Sequence, residues 1–148
     1  MVIWRLQSSQ YPLINSEGAR LTGGRWNQQG TPVIYASENI VLAAIEVIVN
    51  HGGIPEDYVG IRIDIPDDLE IGTADVPEGW PDVVPEEVTA EQGTIWVNAC
   101  KQAVLRVPSA TMSIAGYNYV LNPRHPAFMR ISFMFESIRI DARLRSGD

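Results

Sequence analysis

Glu46 is the residue of this sequence whose setting most directly suggests chemistry. It is the only charged residue in the apolar run 40–49. An ionised carboxylate among apolar side chains carries a large desolvation cost unless it is paired or faces a cavity. Two interpretations follow. Glu46 forms a structural ion pair with one of the arginines, or it is an active-site carboxylate, since such buried groups are enriched in active sites.

The segment 23–27, Gly-Gly-Arg-Trp-Asn, suggests a second chemical role. Two glycines before Arg25 permit unusual backbone angles, so backbone amides and a guanidinium can approach one phosphate group. A glycine turn that carries a surface arginine is the alternative interpretation. The segment matches neither a P-loop nor the Gly-x-Gly-x-x-Gly fingerprint of dinucleotide-binding folds.

Tyr35 and Ser109 are further candidates for a polar site. Tyr35 precedes the Glu46 segment, so its ring can face the same cavity as Glu46 or pack in the core. Ser109 follows a short apolar segment, where a hydroxyl can meet a ligand or close a turn. The two histidines and the single cysteine have no metal-ligand spacing, and no Gly-x-Ser-x-Gly elbow is present. We therefore expect no metal ion.

Short strands and a few helices must position these residues. The patterns predict strands at 2–7, 33–36 and 57–65, a short strand in 105–110 that stops at Pro108, and a strand in 117–126 that ends in a proline-bounded turn. They also predict one or two core strands within 128–144. They predict a helix at 38–50, capped by Ser37 and buried on several sides, and another at 94–104. Segment 15–32 is predicted as a long loop, and the acidic, proline-rich segment 66–93 as irregular. The expected architecture is one α+β domain over residues 1–148.

Charge and composition weigh against several classes of partner. The net charge of −7 opposes binding to the phosphate backbone of nucleic acids. A membrane span needs roughly 20 apolar residues, and Glu46 interrupts the best candidate. The single cysteine cannot form an internal disulfide, and the first residues contain no long apolar run, so we expect a cytosolic protein. Direct contact with nucleic acid or a membrane is not expected.

Five segments, taken in order, resemble the RES domain family. They are Gly-Gly-Arg-Trp-Asn at 23–27, Pro-Val-Ile-Tyr-Ala-Ser at 32–37, Glu46 in the next helix, Leu-Arg-Val-Pro-Ser-Ala at 105–110, and the segment 118–126. The resemblance extends from about Arg5 to Leu144 and is weaker between 66 and 93. It implies a fold like that of ADP-ribosyltransferases of the diphtheria-toxin type. It also implies an enzyme that consumes NAD+, commonly as the toxin of a toxin–antitoxin pair.

The resemblance also implies a site and a reaction. The implied catalytic residues are Arg25, Tyr35, Glu46 and Ser109, and the candidate NAD+-binding residues are Arg5, Gly24, Arg25, Trp26, Asn27, Tyr35 and Asn122. The reaction is cleavage of the nicotinamide–ribose bond, with water or phosphate as acceptor. A protein ADP-ribosyltransferase is the alternative, and a non-catalytic partner-binding module a further one. The implied partner is an Xre-type antitoxin, with a homodimer of this chain in the complex.

Overall fold

Seven strands form one mixed sheet in the computed structural model, which describes residues 1–112 and 116–146. The strands are β1 (Val2–Ser8), β2 (Ile34–Ser37), β3 (Tyr58–Asp64), β4 (Ile71–Thr73), β5 (Val104–Pro108), β6 (Tyr117–Leu121) and β7 (Ser132–Glu136). Their order is β4-β5-β6-β2-β1-β3-β7, and only β4 and β5 run parallel. The α+β class predicted from the sequence is confirmed.

Helices connect the strands. Those of the described residues are α1 (Glu17–Thr22), α2 (Ile40–His51) and α3 (Glu86–Ala99), with short 3-10 helices at Pro126–Arg130 and Ala142–Leu144. None of them is both long and apolar enough to cross a membrane. The predicted Ser37 cap of α2 is wrong, because Ser37 ends β2. Asn39 caps α2 instead, and its side chain accepts a hydrogen bond from the Leu42 backbone N–H at 2.8 Å.

The prediction that α2 is buried on several sides is also wrong. Leu42 and Ala43 are its buried residues, whereas Val41 and Val49 are 65% and 63% exposed. The helix covers the sheet with one side only. Its apolar composition therefore overstated its burial.

The segment predicted as irregular holds regular structure at both ends. It contains β4, and α3 begins at Glu86 rather than at 94 and ends at Ala99 rather than at 104. Gly93 obscured this helix, because glycine is a poor helix former. The fold nevertheless requires it: a Cβ at Gly93 would lie 1.7 Å from the carbonyl oxygen of Trp26. The glycine lets α3 pack directly on the loop that precedes β2.

Two other segments differ from the predictions, whereas the strand of 117–126 ends at Leu121, before the turn expected at its end. Segment 15–32 contains α1. The segment 128–144 supplies one strand, β7, at the edge of the sheet and not in the core. Met134 and Phe135 of this strand are 54% and 49% exposed. Its phenylalanines suggested more burial than an edge strand provides.

The two faces of the sheet have different covers. One face carries a core cluster that includes Ile3, Ile34 and Ile63, packed mainly against non-helical segments. On the opposite face, which we call the helix face, α2 packs over β1. Val97 of α3 packs there over β5 and β6. Polar side chains on the helix face are thus enclosed between sheet and helices.

The sheet is nearly divided between β1 and β2. These strands share a single registered pair, Trp4 with Ser37, whereas β1 and β3 share seven. Beyond that pair the guanidinium of Arg5 fills the gap, and its Nη1 donates to the Tyr35 carbonyl at 2.7 Å. At this junction a hydrogen bond from a side chain replaces one between the two backbones.

Candidate active site

Glu46 reaches from α2 to the helix face of the sheet, where two neutral side chains hold it. Its Oε1 accepts hydrogen bonds from Ser109 Oγ and from Asn118 Nδ2, each at 3.0 Å. None of the ion pairs formed within residues 1–112 and 116–146 includes Glu46. The structural ion pair considered from the sequence is therefore not what holds this carboxylate there. Neutral donors orient it without cancelling its charge.

Asn118 was not predicted from the sequence as a site residue. It lies on β6 opposite Ser37 of β2, and Ser37 Oγ donates to Asn118 Oδ1 at 2.7 Å. With its oxygen engaged in this way, the amide must turn its NH2 group toward Glu46. The sequence offered one sign of this role: Asn118 is a polar amide within a strand whose next residues are Tyr-Val-Leu. The residue of this segment predicted to bind NAD+ is Asn122.

Ser109 follows β5 directly and is 3% exposed. Its hydroxyl donates to Glu46 and accepts from the backbone N–H groups of Thr111 and Met112, at 3.2 and 3.4 Å. The turn role considered from the sequence is present, and contact of this hydroxyl with a ligand stays a prediction. The turn fixes the hydroxyl so that its proton points at the carboxylate.

The segment 23–27 forms a tight loop held by its own backbone. The Gly24 N–H donates to the Asn27 carbonyl at 2.9 Å, and the Asn27 N–H returns a bond to Gly24 at 3.4 Å. Gly24 has no room for a side chain, since a Cβ would lie 2.9 Å from the Tyr35 hydroxyl. The Asn27 amide donates to the carbonyls of Ala19 and Thr31 at 2.8 and 3.0 Å. The loop therefore has one well-determined shape.

Tyr35 clamps this loop from β2. Its hydroxyl donates to Asn27 Oδ1 at 2.6 Å and accepts from the Trp26 N–H at 3.0 Å. Burial raises the pKa of Tyr35 well above its usual range, and the charge of Glu86 adds to the effect. The phenol therefore stays neutral and keeps its proton for Asn27. Its hydroxyl is committed to the loop.

Arg25 lies at the tip of the clamped loop with its guanidinium over an aromatic ring. The Arg25 Cζ is 5.6 Å from the centroid of the Trp80 ring, and the Arg25 carbonyl accepts a hydrogen bond from Thr89 Oγ1 at 2.6 Å. Within the described part of the chain its guanidinium N–H groups make no hydrogen bond or ion pair. A cation with free donors on a fixed backbone suits an anionic ligand.

The four predicted catalytic residues form two groups, Arg25 with Tyr35 and Glu46 with Ser109, and strands β2 and β6 connect them. Tyr35 and Ser37 are two residues apart on β2, so their side chains share one face of the sheet at a spacing of roughly 7 Å. Tyr35 holds the Arg25 loop, and Ser37 leads through Asn118 to Glu46. Arg5 alternates to the other face of β1, where burial lowers the pKa of its guanidinium. It supports Tyr35 through the backbone and joins neither group.

Three predicted NAD+-binding residues turn out to be enclosed. Trp26, Asn27 and Asn122 are 2%, 1% and 0% exposed. Trp26 packs in the core under α3, and Asn27 braces the loop. Asn122 donates to the Val97 carbonyl at 3.1 Å, away from Glu46. The side chains of these residues shape the protein interior and do not present groups to a ligand in this structure.

The sequence is similar to one protein family and to several individual proteins. Residues 2–141 match the RES domain. A protein named Toxin Res from Pseudomonas putida is 34% identical over 151 residues, covering 97% of this chain and 99% of the relative. A Prs ADP-ribosylating toxin from Sphingobium sp. is 33% identical over 120 residues, covering 76% of this chain and 74% of the relative.

A solved structure supports the fold independently. The similar chain comes from the crystal structure of the M. tuberculosis MbcT–MbcA toxin–antitoxin complex. It superposes with a TM-score of 0.65 at 17% identity, covering 92% of this chain and 84% of that one. Because the match to the RES domain spans nearly the whole sequence, the chain belongs to the RES domain family.

Proposed function

We propose that this chain is the toxin of a toxin–antitoxin pair and that it destroys NAD+ by cleaving the nicotinamide–ribose bond. The observation that carries the proposal is the Glu46 carboxylate, held by Ser109 and Asn118, together with an Arg25 guanidinium that makes no hydrogen bond or ion pair among the described residues. Membership of a family whose relatives are named toxins supports it. We also propose that its fold is that of ADP-ribosyltransferases of the diphtheria-toxin type.

The residue types suit the reaction. Loss of neutral nicotinamide from NAD+ leaves an oxocarbenium-like centre at the ribose C1′, which a nearby carboxylate stabilises. Glu46 supplies that negative charge, and its two donors hold it in one orientation. Arg25 would bind the pyrophosphate and so position the dinucleotide. The substrate is NAD+, and the scheme assigns no step to a metal ion.

Transfer of ADP-ribose to a protein is the second candidate activity. The name of the Sphingobium relative, an ADP-ribosylating toxin, favours it for that protein. Both reactions need the same activated ribosyl centre and differ only in the acceptor. Labelled NAD+ incubated with the protein, with and without phosphate and cell lysate, distinguishes free ADP-ribose products from labelled protein.

The decisive variant is Glu46→Gln, which removes the charge and almost no volume. We expect NAD+ loss to fall by about 10²-fold or more, because charge stabilisation of the transition state disappears. Nicotinamide release is measured by chromatography, and folding by circular dichroism. Glu91→Gln, the same change at an exposed position of α3, is the matched control and should retain full activity. Full activity of Glu46→Gln would refute the mechanism. Wild type and Glu46→Gln that are equally inert towards NAD+ at high protein concentration would favour a non-catalytic binding module.

The proposed partner is an antitoxin, and the family resemblance implies the Xre type. We propose that it binds this chain in the cytoplasm and that the complex contains a homodimer of the toxin. A structure of similar fold was solved as a toxin–antitoxin complex. Expression without antitoxin should stop growth as cellular NAD+ falls, and Glu46→Gln should restore growth. Normal growth and steady NAD+ with abundant soluble wild-type protein would contradict the proposal.

A further inference from the structure

Residues 74–85 connect β4 to α3. In the structure this segment, which we call the tryptophan strap, is anchored at its start and lies against the core. The Ala74 N–H donates to the Arg106 carbonyl at 3.0 Å, and Ala74, Val76, Trp80 and Val84 all pack into the cluster beneath α3. The strap thus places one large aromatic ring at a fixed point.

That ring lies against the Arg25 loop in two ways. Trp80 is 9% exposed, and its ring is tilted against that of Trp26 with centroids 5.9 Å apart. It also lies under the guanidinium of Arg25, at 5.6 Å from the ring centroid to Cζ. A cation over the face of an indole is attracted by the ring quadrupole within about 6 Å. Trp80 therefore contacts both the loop and the cation at its tip.

This contact differs from an ion pair in what it leaves free. A carboxylate partner would occupy the guanidinium N–H donors, whereas a ring face holds the cation and leaves the donors at its edge unused. In the described residues the Arg25 side chain makes no hydrogen bond, in agreement with this arrangement. Preorganising a long side chain also removes part of the entropy that binding would otherwise lose.

We propose that Trp80 is a positioning residue that holds Arg25 ready to grip the pyrophosphate of the dinucleotide substrate. The inference rests on the proposed function, since it takes NAD+ as the ligand. It assigns the strap a role in substrate affinity that acts through Arg25, while Trp80 itself need not touch the substrate. Removal of the ring face should weaken NAD+ binding and leave the Glu46 group in place.

The side chain offers a clean series of variants. Trp80 Nε1 is buried and has no hydrogen-bond partner among the described residues, so Trp80→Phe removes no hydrogen bond and keeps a ring face. Trp80→Leu keeps an apolar side chain and removes the face. Trp96, at the margin of the same cluster, provides the control as Trp96→Leu, which also removes the hydrogen bond from Trp96 Nε1 to Gln102. Circular dichroism melting identifies any variant that fails to fold.

The test is NAD+ affinity by titration calorimetry, measured in the Glu46→Gln background so that the ligand is not consumed. We expect Trp80→Leu to weaken binding about five- to thirtyfold, Trp80→Phe by less than about threefold, and Trp96→Leu not at all. In an Arg25→Ala background, Trp80→Leu should have almost no further effect, because its partner is already gone. A loss that stays the same size without Arg25 marks a purely structural role and overturns the inference.

The outcomes separate this inference from the proposed function. Equal NAD+ affinity of a folded Trp80→Leu variant and its Trp80-containing parent overturns the inference alone. Absence of NAD+ binding in both the wild type and Glu46→Gln overturns the proposed function and this inference with it. Tight NAD+ binding by Trp80→Phe, in which a smaller ring occupies the same space, supports the inference.

Discussion

Replacing Tyr35 with phenylalanine tests whether the clamp on the Arg25 loop is what the hydroxyl provides. The change leaves two buried partners without their bonds, Asn27 Oδ1 and the Trp26 N–H, now at 2.6 and 3.0 Å from the hydroxyl. Each buried group left unsatisfied costs about 1–3 kcal/mol. Allowing for some relaxation, we expect the free energy of unfolding to fall by about 2–4 kcal/mol in total.

The assay is thermal unfolding followed by circular dichroism, together with NAD+ kinetics well below the new midpoint. For a chain of this size a loss of 1 kcal/mol lowers Tm by about 2–4 °C, so the expected drop is about 4–16 °C. Because the loop carries Arg25, KM for NAD+ should rise more than kcat falls. A melting temperature within about 2 °C of wild type would refute the clamp, and a large loss of kcat at unchanged KM would show that Tyr35 acts in the chemical step.

The same variant has a signature in the pH dependence of stability. Burial raises the pKa of Tyr35 above its ordinary value of 10.0, so the folded chain retains a proton that the unfolded chain releases. The protonated Tyr35 therefore makes its full contribution to the free energy of unfolding below pH 10, and this contribution declines as the pH rises above 10. Tyr35→Phe lacks this group, so its free energy of unfolding should decline less steeply between pH 10 and 11. An equally steep decline in both proteins would contradict the assignment.

Two further changes test what surrounds the loop. Gly93→Ala should destabilise the fold and weaken NAD+ binding, because the new Cβ would sit 1.7 Å from the Trp26 carbonyl oxygen. Gly18→Ala in α1 is the control: its Cβ would have nothing within 4 Å and alanine favours a helix, so the melting temperature should not fall. Glu86→Gln should lower KM for NAD+ by about two- to threefold at low salt and leave it unchanged at 1 M salt. The Glu86 charge lies near the site, because it raises the pKa of Tyr35 whereas the Arg25 charge lowers it. An unchanged KM at low salt, measured beside the exposed control Glu56→Gln, would contradict this electrostatic role.

How far the sequence predicts the fold depends on the kind of pattern in each element. The strand around 57–65 alternates strictly and appears within one residue as β3. The helix α3 was displaced by eight residues at its start, because Gly93 and the acids after Pro85 hide its period. This helix needs a glycine at position 93 because it packs there against the backbone of Trp26. Trp26 is far away in the sequence, so no local pattern reveals the contact.

The same contrast holds within the candidate site. Glu46 was detectable because a lone charge in an apolar run needs an explanation, and the structure supplies neutral donors as that explanation. Asn118 and Ser37 were missed because each belongs to an ordinary strand and gains its meaning only from cross-strand pairing. Trp80 was missed because an aromatic residue among prolines and acids gives no sign of the cation it will meet.

The hydrogen bonds of Glu46 also set a time at which the site can first exist. Its two partners lie 63 and 72 positions further along the chain. At about 5–20 residues per second, a ribosome needs roughly 4–14 s after making Glu46 before Asn118 is made. During that interval the carboxylate lacks the amide of β6, and for most of it the turn after β5 as well. A chain interrupted before this point is harmless in the proposed reaction, and a partner already present in the cell has several seconds to meet the growing chain before its chemistry begins.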